Sequence, residues 1–179
     1  ELGAYYSDLY RGEPLVTVGL MRGAVRFAVH LGEAIDNPEV YEDFMRTQKM
    51  DGANSGKVVI LSEPDIHIKG MNVLVIEDVD DKRDTLLTVL PRLRRASPKR
   101  LDLACLLNKP NAEKTPGDLP VDDVQYAFQI ENRFVVYYGL DWNGLYRNKS
   151  HISAAHNIAE PGQPELWVPM VPDEYKIGV

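Results

Sequence analysis

The segment Val73-Leu74-Val75-Ile76-Glu77-Asp78-Val79-Asp80-Asp81-Lys82-Arg83-Asp84-Thr85-Leu86 decides the fold. Asn72 to Ile76 is a continuous apolar run of strand length, and two adjacent carboxylates close it. A short charged turn follows. Thr85, Leu86, Val89, Leu90 and Leu93 then recur at three to four residues, which predicts a helix. Pro91 inside that pattern predicts a kink or an early end. A strand that runs through a tight turn into a helix start leaves free N–H groups at the turn, a setting that takes phosphate. Glu77 and Asp78 beside it suit sugar hydroxyls, or a divalent cation bridging to phosphate. The competing explanation is a solvated acidic turn in which Asp84 or Thr85 only caps the helix.

Working outward, Pro14 to Leu20 reads as a buried strand that meets Arg22-Gly23 and then a helix over Ala24 to Ala34. Asn37-Pro38 breaks that helix, and Val40 to Met45 predicts a second strand. Gln48 to Gly56 is polar and glycine-bearing, which predicts a mobile loop. Lys57 to Leu61 is a strand, Gly70 a turn, and Leu101 to Leu107 a further buried strand. Glu113 to Asp123 is a loop rich in Pro and Gly, and Arg133 to Leu140 predicts a last strong strand. Before all of these, Leu2, Tyr5, Tyr6 and Leu9 mark a helix over Glu1 to Arg11 that Gly12 stops. The tail from Asn157 holds four prolines and is expected to lie extended on the surface. The absence of an initiator Met leaves room for residues before Glu1.

Strands alternating with helices imply an α/β fold with a mostly parallel central sheet and helices on both faces. Ligands then bind at the carboxyl ends of the strands. Three such ends carry unusual chemistry: Met21-Arg22-Gly23, Glu77 to Thr85, and Asn108-Lys109-Pro110.

Length and composition narrow the classes. The chain has 179 residues, 44% hydrophobic and 26% charged, which fits one globular domain over 1–179. A single cysteine excludes a disulfide framework and a Cys-based zinc cluster. Cys105, inside an apolar strand, reads as a buried inert thiol. His30, His67, His151 and His156 lack ligand spacing. A net charge of −7 disfavours nucleic-acid binding through bulk charge, and no apolar run is long enough for a membrane span. A soluble, cytoplasmic protein is expected. Arg92, Arg94, Arg95, Lys99 and Arg100 form a basic cluster, read as a solvated helix end favoured by the helix dipole.

The 73–86 segment resembles the motif by which type I phosphoribosyltransferases bind phosphoribosyl pyrophosphate (PRPP): apolar residues, two acidic residues, two apolar residues, Asp, a short turn and Thr. Val18-Gly-Leu-Met-Arg-Gly-Ala24 resembles the family's pyrophosphate loop. Leu106-Leu-Asn-Lys-Pro110 resembles the lysine-bearing strand end of its hypoxanthine-guanine branch, and Phe134 to Arg147 resembles that branch's purine segment. The resemblance implies a type I phosphoribosyltransferase fold with a small hood built from chain ends, 150–179 forming its C-terminal part. It implies transfer of a phosphoribosyl group from PRPP to a 6-oxopurine, with magnesium as cofactor, and a homodimer or homotetramer.

Carried over by position, the resemblance makes Asp81 the general base. Glu77 and Asp78 hold the ribose hydroxyls and magnesium, and Lys82, Arg83, Asp84 and Thr85 cradle the 5′-phosphate. Met21, Arg22, Gly23 and Arg147 bind pyrophosphate. Lys109, Phe134 and Val135 bind the purine, and Asp141 lies beside it and ligates a second magnesium. Trp142 and Tyr146 wall the pocket or pack the hood.

Several positions depart from the family pattern. Lys82 and Arg83 stand where it has Thr or Ser and then Gly or Ala. Asp80 puts a charge at an apolar position. Lys49-Met50 replaces a Ser-Tyr pair in the mobile loop, and Gly144 replaces a larger residue. A catalytically weak or inactive nucleotide-binding regulatory paralogue is therefore the alternative.

Overall fold

In a computed structural model of the chain, residues 1–50, 57–155 and 167–169 are described. The central sheet has six strands: β1 (Leu15–Met21), β2 (Val40–Lys49), β3 (Val58–Ser62), β4 (Asn72–Asp80), β5 (Arg100–Asn108) and β6 (Asp123–Gln129). Their order is β3-β2-β1-β4-β5-β6. Every neighbouring pair is parallel except the β2–β3 hairpin. The chain builds outward from β1 to β3, then crosses back to β4 and builds the other way. The crevice between the carboxyl ends of β1 and β4 is thus the switch point where open α/β sheets bind ligands.

The expected helices cover both faces. β4 is buried from Asn72 to Glu77, and its side chains alternate between two cores. Leu74 and Ile76 pack with Phe27, Ala28 and Leu31 of α2 (Val25–Ala34) and with Tyr6 and Tyr10 at α1 (Leu2–Leu9). Val73 and Val75 pack with Leu86, Val89, Leu90 and Leu93 of α3 (Asp84–Arg95). Each such buried side chain contributes about 1.5–3 kcal/mol relative to exposure. The four α3 contacts explain why the helix runs on through Pro91 to Arg95 instead of ending early.

The strands differ from expectation in three places. β2 runs to Lys49, so Gln48 and Lys49 are strand residues paired with Val59 and Val58 and not loop; positions 51–56 of the expected loop lie outside the described residues. β6 had no sequence signal, because its residues are only half buried at the sheet edge. The strand expected over Arg133 to Leu140 shrinks to β7 (Val135–Val136). Tyr137, Tyr138 and Gly139 have φ of 71°, 53° and 99°, left-handed values that end a strand at once.

β7 pairs with β8 (Ser153–Ala155), and β8 with β9 (Trp167–Pro169), in a second small antiparallel sheet. The rest of the tail from Asn157 lies outside the described residues. This small sheet comes from the later part of the chain alone. The N-terminal α1 instead packs on α2, where a Cβ added to Gly3 would lie 2.5 Å from the Ala34 carbonyl oxygen. Arg26 Nη1 donates to the Lys149 carbonyl at 3.1 Å, and His30 Nδ1 lies 2.6 Å from the Tyr138 hydroxyl, so the segment between β7 and β8 docks onto α2. No helix among the described residues is long and apolar enough to cross a membrane.

Candidate active site

Two adjoining cavities open at the switch point. The first, of about 420 Å³, is lined by the β4 end and the start of α3, including Glu77, Asp78, Asp81, Lys82, Arg83, Asp84 and Thr85, together with Met21 and Gly23. The second, of about 510 Å³, shares Met21, Gly23 and Asp78 and adds Arg22, Asp141 and Arg147. The residues singled out at β1 and β4 therefore line one continuous crevice with Asp141 and Arg147. Lys109, Phe134 and Val135 line neither cavity. Lys109 is joined to the first through Asp81, Phe134 is 37% exposed, and Val135 is buried in β7.

The loop after β1 is fixed by close backbone approach. A Cβ added to Gly23 would fall 1.6 Å from Asp78 Oδ2, so only glycine lets this backbone lie against the carboxylate. A Cβ on Gly139 would fall 2.2 Å from the Gly23 carbonyl, so the turn after β7 presses on the same loop. The Met21–Arg22 peptide is cis. Arg147 Nη1 donates to the Gly139 carbonyl at 2.5 Å, and Arg147 pairs with Asp141 at 2.5 Å. Arg147 Nε stays buried without a hydrogen-bond partner among the described residues. Gly144, with φ of 82°, makes the tight turn between Trp142 and Leu145, which accounts for glycine at that position.

At the β4 end, burial pushes the Glu77 carboxyl well above the usual range, and the adjacent Asp78 charge adds to it. Burial also raises Asp78. Asp81 Oδ2 accepts from Lys109 Nζ at 2.8 Å, and the Lys109 backbone N–H donates to the Asp80 carbonyl at 3.2 Å. The ends of β4 and β5 are thereby held in register. α3 begins at Asp84, and among the described residues the Arg83 side chain does not cap it, so its first-turn N–H groups lack intrahelical and N-cap acceptors. Arg83, just before it, sits at φ 69°.

The sequence did not reveal how the turn is held. Asp80 is fully buried. Its carboxylate accepts from Arg83 Nε at 3.1 Å and Nη2 at 3.1 Å, from Lys114 Nζ at 2.6 Å and from the Tyr126 hydroxyl at 2.8 Å. Burial alone would raise its carboxyl; the donors from Arg83, Lys114 and Tyr126 outweigh burial and hold it below the usual range. Asp84 accepts from Lys49 Nζ at 2.7 Å and from the Thr115 hydroxyl at 2.7 Å, and these lower its carboxyl too. The Thr115 N–H donates to the Lys82 carbonyl at 2.9 Å. The partners come from β2, β6 and the 109–115 loop, 28 to 46 residues away, where no local pattern points to them.

Magnesium takes hard oxygen donors in a near-octahedral shell. Among the described residues, no three His, Cys, Asp or Glu side chains gather as a closed metal cage. Glu77 and Asp78 offer two adjacent hard oxygen donors, which suits an ion that takes one or two carboxylates and fills its shell with water and phosphate. Asp141 has its oxygens on Arg147 and on the Gly144 N–H, so ligation there requires exchange of the Arg147 pair.

A phosphoribosyl transferase domain family matches residues 2–141. A hypoxanthine-guanine phosphoribosyltransferase of Mycobacterium avium is 38% identical over 160 residues, covering 85% of this chain and 76% of its own length. A crystal structure of a hypoxanthine-guanine phosphoribosyltransferase from Bacillus anthracis superposes with a TM-score of 0.76 at 33% identity, over 87% of this chain and 89% of that one. A hypoxanthine phosphoribosyltransferase from Trypanosoma cruzi, in complex with the product IMP, gives 0.75 at 28% identity, over 86% and 84%. With the fold, the switch-point crevice and these likenesses together, the chain belongs to the phosphoribosyltransferase family, in its hypoxanthine-guanine branch.

Proposed function

We propose that this chain transfers the phosphoribosyl group of PRPP to hypoxanthine or guanine, giving IMP or GMP and pyrophosphate, in purine salvage. One observation carries the proposal. Asp81 and Lys109, a base and a cationic donor, are bonded at 2.8 Å beside a crevice that also holds two adjacent carboxylates and an uncapped helix start. A 6-oxopurine needs that pair: the ammonium donates to the 6-oxo group while the carboxylate takes the N7 proton. Adenine would present a donor to the Lys109 donor, so it is disfavoured.

The remaining roles follow the crevice. The backbone N–H groups from Lys82 to Thr85, with the Thr85 hydroxyl, hold the 5′-phosphate. Glu77 and Asp78 hold the ribose hydroxyls. Met21, Arg22 and Gly23 receive pyrophosphate with Arg147, whose buried Nε–H is a donor in search of an acceptor. Phe134 stacks on the base and Val135 reads its edge through the backbone. In the reaction the C1′–oxygen bond to pyrophosphate breaks, the purine N9 bonds to C1′, and the N7 proton passes to Asp81. Glu77 and Asp78, with Asp141 at the second site, would hold magnesium, which offsets the charge of the departing pyrophosphate. The working form is a homodimer or homotetramer in the cytoplasm, each chain one domain over 1–179 with 150–179 as hood and tail.

Nucleotide binding without turnover is the second reading, and one feature favours it. The Asp84 carboxylate stands at the α3 start, where the 5′-phosphate would lie, already paired with Lys49 and Thr115. Incubation with PRPP, magnesium and hypoxanthine, guanine, xanthine or adenine in turn, followed by absorbance, separates the two. Turnover on a 6-oxopurine and not on adenine is expected. Monophosphate binding with no turnover on any base would replace the transferase with a regulatory module.

A further inference from the structure

Arg83 occupies a backbone conformation that costs a branched or bulky residue energy and that glycine adopts freely. Such a conformation persists only where the surroundings over-determine it. The surroundings here are Asp80. Its fully buried carboxylate takes two donors from the Arg83 guanidinium, one from Lys114 and one from Tyr126. A buried carboxylate is costly unless it is paired, so the two unusual residues answer each other. Asp80 supplies the anchor that Arg83 needs, and Arg83 supplies charge that Asp80 needs.

The same carboxylate joins the turn to two other elements. Lys114 also donates to the Asn108 side chain at 2.9 Å, and Tyr126 belongs to β6. The Asp80 carbonyl receives the backbone N–H of Lys109. The phosphate turn, the end of β5 and the edge strand thus meet at one residue that lines neither cavity.

We propose that Asp80 is a positioning residue for the phosphate turn: through Arg83 it holds residues 82–85 in the conformation that presents the first-turn N–H groups of α3 to a phosphate monoester. The proposal rests on residues 82–85 being the 5′-phosphate site, and it does not depend on turnover.

The test measures ribose 5-phosphate affinity by calorimetry, KM for PRPP against kcat, and thermal stability. Asp80→Asn keeps the shape but leaves two cations facing a neutral amide. It should weaken ribose 5-phosphate binding and raise KM for PRPP by roughly tenfold or more, because small misplacements of a binding group cost that much. The kcat at saturating PRPP should change less than KM. Asp80→Asn/Arg83→Gly should recover most of the affinity, because glycine takes the left-handed conformation without an anchor. A purely structural role would lower the melting temperature of Asp80→Asn while leaving affinity and KM untouched, and that result overturns the proposal. A double variant that binds no better than the single one also overturns it. If Asp80→Asn does not fold, Tyr126→Phe removes one neutral donor and keeps both cations. A weaker ribose 5-phosphate affinity in that variant supports the proposal, and unchanged affinity overturns it. Wild-type protein that binds ribose 5-phosphate without turnover overturns the transferase assignment alone; wild-type protein that fails to bind it overturns the phosphate turn and this proposal together.

Discussion

Asp80 and Asp102 are both fully buried carboxylates in adjacent parallel strands, at opposite ends of the same sheet. Asp80 closes the carboxyl end of β4, beside the crevice. Asp102 stands near the amino end of β5, where its Oδ2 accepts from the Tyr10 hydroxyl at 2.5 Å and from Arg100 Nε at 2.6 Å. Its Oδ1 has no partner among the described residues. Tyr10 lies just past α1, so this carboxylate pins the first helix to the sheet. The same chemical group therefore does two different jobs, and its end of the strand decides which. At the carboxyl end a paired carboxylate shapes a ligand site; at the amino end it holds the fold together.

That contrast is open to direct attack. Asp102→Ala strands the buried Tyr10 hydroxyl and leaves Arg100 unpaired, which should cost about 3 kcal/mol of unfolding free energy. Urea titration reads the loss, and kcat/KM below the melting transition should match wild type. A loss of turnover in a folded Asp102→Ala protein would erase the distinction between the two ends.

On the crevice side, Lys109→Met removes the ammonium of a buried residue and frees Asp81. Loss of a charged hydrogen bond to substrate is worth about 1.5–3 kcal/mol, so kcat/KM for hypoxanthine should fall roughly tenfold to hundredfold. An unchanged kcat/KM would remove Lys109 from base recognition.

Glu77 supplies a pH test. Burial, helped by Asp78, holds its folded-state pKa above the unfolded value, so the folded state binds the extra proton. Stability from this group is then full below the unfolded pKa and lost as pH rises through the folded one. Glu77→Gln should raise the melting temperature by on the order of a few degrees at pH 8, with the gain shrinking toward pH 4. A gain that grows on acidification would contradict the sign.

The smallest effect belongs to Lys49→Met. The Lys49–Asp84 pair has side-chain exposures of 50% and 21%. A pair that exposed contributes about 0–1 kcal/mol, so the melting temperature should barely move. A large drop would mean that the pair closes the crevice mouth structurally.

Burial on both faces leaves a mark in sequence that half burial does not. β4 and β5 were legible because strands buried on both faces are continuous apolar runs, and the Glu77 to Thr85 segment is contiguous. β6 was not, since its pattern at the sheet edge is half buried throughout. The expected strand after Arg133 failed because Tyr137 and Tyr138 carry no mark of their positive φ. Asp80 read as a misplaced charge, because its partners Lys114 and Tyr126 lie 34 and 46 residues away. Lys49 read as loop, because its partner Asp84 is 35 residues on. Local patterns reveal elements and contiguous motifs; the contacts that set a site's shape depend on the fold.

The most direct measurement compares turnover with binding in Asp81→Asn. PRPP, magnesium and hypoxanthine are supplied to both proteins, and IMP affinity is measured by calorimetry in each. A fall in kcat of roughly 100-fold or more is expected, with IMP affinity within a few-fold of wild type, as for loss of a general base from an intact site. Wild-type turnover that survives the substitution unchanged would contradict the assignment of Asp81 as the base on which the site is built.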